Sequence, residues 1–166
     1  MKMVIVARDG VILERLGSAV RGTVEGRPLN GSLEAIAKLC QAGFRVVATT
    51  APPAEAADPD TQIASFERLQ KRLATMGGRL EAVLFGNGRP TADLVKDAAR
   101  RLQMGLDDVW YVSDHSDGLD SARQVGAHPI LVRSGLGTAT AASADLQGVR
   151  VFDDLASAAA ALISGA

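Results

Sequence analysis

Cysteine is almost missing from this chain. Its 166 residues hold one, Cys40. A lone thiol excludes an internal disulfide and any zinc cage built on several cysteines. Histidine is nearly as scarce: His115 and His128 are the only two. They stand apart, so each reads as an ordinary surface residue rather than a metal ligand. Charge of one sign is missing too. Eighteen Lys and Arg face nineteen Asp and Glu, for a net charge of −1, which removes the electrostatic case for nucleic acid or an anionic membrane as partner. No apolar run approaches the roughly 20 residues of a membrane helix. The amino terminus does not read as a signal peptide, because the apolar stretch 1–7 is too short and Arg8-Asp9 follows it at once. The expectation is a soluble, cytoplasmic protein with no membrane and no nucleic-acid partner.

What is present is apolar material, 47% of the chain, in a length that suits one domain over 1–166 with a real core. Short apolar runs alternate with amphipathic stretches. Strands are expected at 3–6, 45–49, 82–85, 108–112, 128–132 and 150–152. Helices are expected at 32–42, 61–76, 91–103, 117–125 and 154–163. The first helix carries Leu33, Ile36, Leu39 and Cys40 on one face, with Ser32 as its cap and Gly43 as its stop. The second carries Ile63, Phe66, Leu69 and Leu73 as a buried stripe. Trp110 and Tyr111 alternate on a strand, so one of them should be buried. Residues 51–60 and 134–148, rich in small and turn-forming types, read as loops, and 14–27 as an irregular excursion or small hairpin. Strand and helix alternate almost without exception, which predicts an α/β fold: a three-layer α/β/α sandwich around a mainly parallel, Rossmann-like sheet with right-handed crossovers.

In such sheets, sites form beyond the carboxyl ends of strands, where the strand order reverses. Polar residues gather at those ends here: Asp9 after the first strand, Thr49 and Thr50 after the second, and Ser113, Asp114 and Asp117 after the fourth. Arg89-Pro90 opens the third helix. Acids, a hydroxyl and a guanidinium drawn from separate parts of a chain suit a phosphate ester and a divalent cation. Each residue also has a simpler reading. Asp9 can cap the turn before Gly10, Thr49 can be a plain strand-end hydroxyl, Arg89 a solvated loop charge, and Asp117 and Asp120 acids at the start of the following helix.

The segments Val4-Ile5-Val6-Ala7-Arg8-Asp9-Gly10-Val11-Ile12, Pro28-Leu29-Asn30-Gly31-Ser32-Leu33-Glu34-Ala35-Ile36, Gln41-Ala42-Gly43-Phe44-Arg45-Val46-Val47, Trp110-Tyr111-Val112-Ser113-Asp114 and Gly126-Ala127-His128-Pro129-Ile130-Leu131-Val132-Arg133-Ser134-Gly135 together resemble the haloacid dehalogenase (HAD) superfamily of phosphatases. Within it the chain is most similar to the heptose-bisphosphate phosphatase and histidinol-phosphatase branch. The resemblance implies a HAD-like sheet with little or no cap domain, a small phosphorylated ligand such as a sugar phosphate, and Mg2+ as cofactor. It places the general acid/base at Asp9 and phosphate-binding groups at Thr49 and Arg89. It assigns the metal to Asp114, the backbone carbonyl of Asp9 and, one position off the pattern, Asp117.

The sequence departs from that pattern at the decisive place. Ala7 stands where the resemblance puts the nucleophilic aspartate that forms an aspartyl-phosphate. Arg89 replaces a lysine, Ser113 a glycine and Gly118 a second metal-binding acid, and no cysteine or histidine surrounds Phe85-Gly86-Asn87-Gly88-Arg89, so no zinc is expected. A single engineered change at Ala7 would not account for the other departures, which favours divergence. The expected magnesium site is weakened or absent. Three functions follow as expectations: a phosphatase-like protein with lost or strongly reduced activity, a working Mg-dependent phosphatase on a small sugar phosphate, or a non-catalytic binding or assembly subunit.

Overall fold

Six short strands, β1 (Met3–Ala7), β2 (Arg45–Thr50), β3 (Ala82–Phe85), β4 (Val109–Ser113), β5 (His128–Val132) and β6 (Arg150–Phe152), lie side by side in the order β3-β2-β1-β4-β5-β6. Every pairing between them is parallel. The computed structural model describes residues 2–15, 27–50, 59–86 and 89–165. Parallel neighbours require crossovers. These are supplied by α1 (Ser32–Gln41), α2 (Pro59–Ala74), α3 (Thr91–Arg101), α4 (Ser116–Val125) and α5 (Gly137–Ser143), and α6 (Leu155–Ser164) closes the chain.

Alternation along the strands divides the core into two layers. Val4, Val6, Val46, Ala48, Val112, Ile130 and Val132 face α1, α2 and α6. Met3, Ile5, Val47, Val109 and Tyr111 face α3 and α4. Strands buried on both faces explain why β1 and β2 read as near-continuous apolar runs rather than as alternating ones. Tyr111 is buried and Trp110 half-buried; Trp110 packs edge-on to Phe44 and tilts over His128.

Some expectations need correction. Ser32 is not the cap of α1. Gly31 takes that position at φ +78°, and the Ser32 hydroxyl donates instead to the Ile12 carbonyl at 2.7 Å, tying the helix to the turn after β1. Ile63 is 50% exposed, because α2 meets the core only from Phe66 onward, through Leu69 and Leu73. Cys40 sits half-buried at the core's edge, its thiol directed at the Arg79 carbonyl. The loop expected over 134–148 contains α5. Its helical turn is made of small residues with no apolar stripe for periodicity to find.

The excursion expected over 14–27 begins and ends as an antiparallel pair. Leu13 bridges Pro28, Glu14 N–H donates to the Arg27 carbonyl, and Leu29 N–H donates to the Ile12 carbonyl. Its residues 16–26, and residues 51–58 of the other expected loop, lie outside the described residues. Among the described residues no helix is long and apolar enough to cross a membrane.

Candidate active site

The strand order reverses beside β1, with β2 on one side and β4 on the other. That makes the carboxyl ends of β1 and β4 the crevice where ligands bind in open α/β sheets. Ala7 is the last residue of β1, in register with Thr49 of β2. A tight turn follows. Arg8 N–H donates to the Thr49 carbonyl, Ile12 and Leu13 N–H both donate to the Arg8 carbonyl, and Gly10 N–H donates to the Leu13 carbonyl. Gly10 adopts φ +85°, and a Cβ there would come within 1.9 Å of Asp114 Oδ2. Glycine at position 10 is thus demanded both by backbone conformation and by the approach of a carboxylate.

Asp114, directly after β4, has a fully buried side chain. Arg15 grips it in a fork, with Nε to Oδ2 at 2.6 Å and a terminal nitrogen to Oδ1 at 2.7 Å. Leu136 N–H donates to Oδ2 at 2.9 Å, and the Thr140 hydroxyl donates to the Asp114 backbone carbonyl at 2.8 Å. The loop between β5 and α5 presses against the same point. The Ser134 hydroxyl donates to the Gly10 carbonyl at 2.7 Å, and a Cβ on Gly135 would lie 2.3 Å from Asp114 Oδ2. Charge-assisted bidentate bonding of this kind is strong. The bond to Asp114 holds the Arg15 guanidinium above its already high ordinary pKa, against an opposing effect of its own partial burial, and the nearby Asp9 charge adds to the rise.

The other expected residues occupy distinct positions. Asp9 is half-buried, and its carboxylate accepts from the neighbouring Arg8 at 3.1 and 3.3 Å. Thr49 is buried, with its hydroxyl 3.2 Å from the Tyr111 hydroxyl. Burial pushes the Tyr111 phenol up, and the Thr49 contact offsets only part of that. Arg89 stands past the end of β3 and donates to Asp97 of α3 at 2.6 Å; Arg100 holds the other oxygen of Asp97. The Arg89 bond keeps the Asp97 carboxyl below its usual range. Asp117 opens α4 with its side chain 86% exposed, beside the His115 ring that caps the helix.

Structure therefore brings Ala7, Asp9 and Asp114 to one crevice and adds Arg15. Asp117 does not join them in a metal cluster: among the described residues, no three acidic, histidine or cysteine side chains converge as ion ligands. Gly118 cannot carry the missing second acid in this packing, since a Cβ there would lie 2.5 Å from Ser113 Oγ and 2.7 Å from the Tyr111 ring. Magnesium asks for octahedral oxygen ligands and usually one or two carboxylates. Among the described residues, the only carboxylate buried at this point already carries three donor contacts. As arranged, the donor set does not fit the ion.

Arg15, Asp97, Tyr111 and Ser134 are neighbours of the candidate site residues to which sequence reasoning gave no site role. No local signal marks Arg15, whose partner lies 99 residues away. The Ser134-Gly135 pair lay inside a recognisable segment, but its contacts with Gly10 and Asp114 exist only in three dimensions.

A family profile described as "HAD-hyrolase-like" matches residues 86–158. The D-glycero-beta-D-manno-heptose-1,7-bisphosphate 7-phosphatase of Pseudomonas putida is 33% identical, over 98% of this chain and 100% of its own. The enzyme of the same name from Bordetella bronchiseptica is 35% identical over 100% of both. A crystal structure of D,D-heptose 1,7-bisphosphate phosphatase from B. bronchiseptica, complexed with magnesium and phosphate, superposes with a TM-score of 0.92 at 34% identity and full coverage of both chains. The parallel sheet, the crevice at its switch point and this end-to-end similarity agree: the chain belongs to the heptose-bisphosphate phosphatase branch of the haloacid dehalogenase superfamily.

Proposed function

We propose that this protein binds a small phosphorylated sugar of the heptose-bisphosphate kind at the carboxyl ends of β1 and β4, and that its phosphatase activity is lost or strongly reduced. One observation carries the reading. Ala7 ends β1 at the switch point, where family resemblance places the attacking carboxylate, and a methyl group has no lone pair with which to attack phosphorus. Phosphate monoester hydrolysis needs rate enhancements up to about 10²¹ over the uncatalysed reaction. Covalent capture divides that barrier; without it, positioning and charge stabilisation remain. Asp9 is the residue able to act as acid or base, and Thr49 and Arg89 are the proposed phosphate-binding groups. Asp97 holds the Arg89 guanidinium. Any dependence on magnesium is weak, since Asp114 is committed to Arg15.

The test is phosphate release from heptose 1,7-bisphosphate and a panel of sugar phosphates by the purified chain. The expected turnover lies below about 10⁻³ s⁻¹, far under the roughly 1–10³ s⁻¹ usual for enzymes. Turnover in that usual range, abolished by Asp9→Asn, would establish a working phosphatase instead.

A further inference from the structure

We infer that Arg15 is the resident cation of this site: its guanidinium takes the position at Asp114 that a divalent ion would need, and it offers its outer edge to the phosphoryl group. The inference rests on the proposed phosphate pocket and adds to it the identity of the positive charge. A guanidinium has five N–H donors in a fixed fork. Asp114 consumes one from Nε and one from a terminal nitrogen, and among the described residues no acceptor meets the other three. The side chain is 38% exposed while its partner is fully buried, so part of the guanidinium side chain remains open to solvent.

Three further observations point the same way. Both oxygens of Asp114 already accept hydrogen bonds and the side chain is fully buried, so an ion at this carboxylate competes with Arg15. Gly118, where a second acid would stand, is crowded by Ser113 and Tyr111, which would have to shift for any side chain there. Ala7 contributes no negative charge. With the nucleophile's carboxylate and the second acid both missing, a single positive charge balances Asp114, where a divalent ion would leave an excess. A fixed guanidinium also suits oxyanions, which it meets with two parallel hydrogen bonds. Oxyanion binding at this site is accordingly independent of magnesium.

Calorimetric titration of the full chain with inorganic phosphate, in EDTA and again in excess magnesium, tests the idea. Arg15→Gln leaves a buried carboxylate without its partner and risks misfolding. The double variant Arg15→Gln/Asp114→Asn removes both charges together and is compared by circular dichroism before titration. Expected are equal affinities for the unaltered protein with and without magnesium, and a loss of roughly tenfold or more, about 1.4 kcal/mol, in the folded double variant. A second readout uses Mn2+ as a paramagnetic probe, with no stoichiometric binding expected. The inference is overturned by phosphate binding that needs magnesium, by metal-free binding that survives in the double variant, by no phosphate binding at all, or by stoichiometric Mn2+ uptake. Magnesium-dependent phosphate binding would leave the low-turnover reading intact, whereas rapid hydrolysis alongside metal-free, Arg15-dependent binding would sink that reading and spare this one.

Discussion

Replacing Arg15 by Gln should destabilise the fold, and the amount can be worked from the contacts. Breaking a buried ion pair by removing one partner costs about 3–5 kcal/mol, because the remaining charge is buried and uncompensated. Asp114 is fully buried, but Arg15 is 38% exposed. Water therefore reaches the vacated side, and the Leu136 N–H stays in place at 2.9 Å. Solvent screening brings the expected loss down to about 2–3 kcal/mol. For a chain of this length, that lowers Tm by roughly 5–10 °C. Asp114→Asn should cost less, about 1–2 kcal/mol, because it strands a charge that solvent can hydrate. The double variant removes both charges and should fall short of the summed losses by at least about 1 kcal/mol, the signature of direct coupling. Urea unfolding of the four proteins measures this. Additive losses, or an Arg15→Gln variant within about 0.5 kcal/mol of the parent, would refute the view that this pair holds the turn, β4 and the β5–α5 loop together.

Three other outcomes follow from the same contacts. Ala7→Asp alone should not raise phosphate release to the roughly 1 s⁻¹ at the low end of ordinary turnover, because Arg15 keeps Asp114 from any ion; a rate in that range from this one change would show the rest of the apparatus intact. Gly118→Ala should destabilise by about 1–2 kcal/mol, overpacking against Ser113 and Tyr111 outweighing the gain in helix propensity; adding Ser113→Gly should recover part of the loss, the Tyr111 contact at 2.7 Å remaining, and a Gly118→Ala protein as stable as its parent in urea would contradict this packing. Tyr111 is the only tyrosine, so near-ultraviolet absorbance reports its ionisation alone. Burial raises it above its ordinary value of 10.0, so its contribution to stability is complete below pH 10 and declines as pH rises beyond that point, where the unfolded chain loses the proton more readily. Tyr111→Phe should flatten that alkaline decline, and an unshifted titration in the folded protein would count against the burial argument.

The fold was legible because its signals are local. Runs such as Val4-Ile5-Val6 and Arg45-Val46-Val47 announce buried parallel strands, and the spacing of Leu33, Ile36 and Leu39 announces a helix face; each depends on neighbours within a turn or a few residues. Misread places were those where local and tertiary preferences differ. Ser32 has the chemistry of a cap but is drawn to Ile12 across the turn, and Ile63 keeps the helical period although α2 has not yet reached the core at that point.

The sequence by itself determined the parallel α/β architecture, the gathering of polar residues after β1, β2 and β4, and the methyl group of Ala7, because these follow from periodicity and from the identity of single residues; the strand order that puts the crevice beside β1 came from the fold. Tertiary structure alone decided that Asp114 is clasped by Arg15, that Arg89 is held by Asp97, and that Gly118 is crowded by Ser113 and Tyr111. The physical reason is distance along the chain. A salt bridge across 99 residues or a collision between a helix glycine and a strand serine exists only once the sheet has brought its partners together, and no pattern of neighbours encodes it.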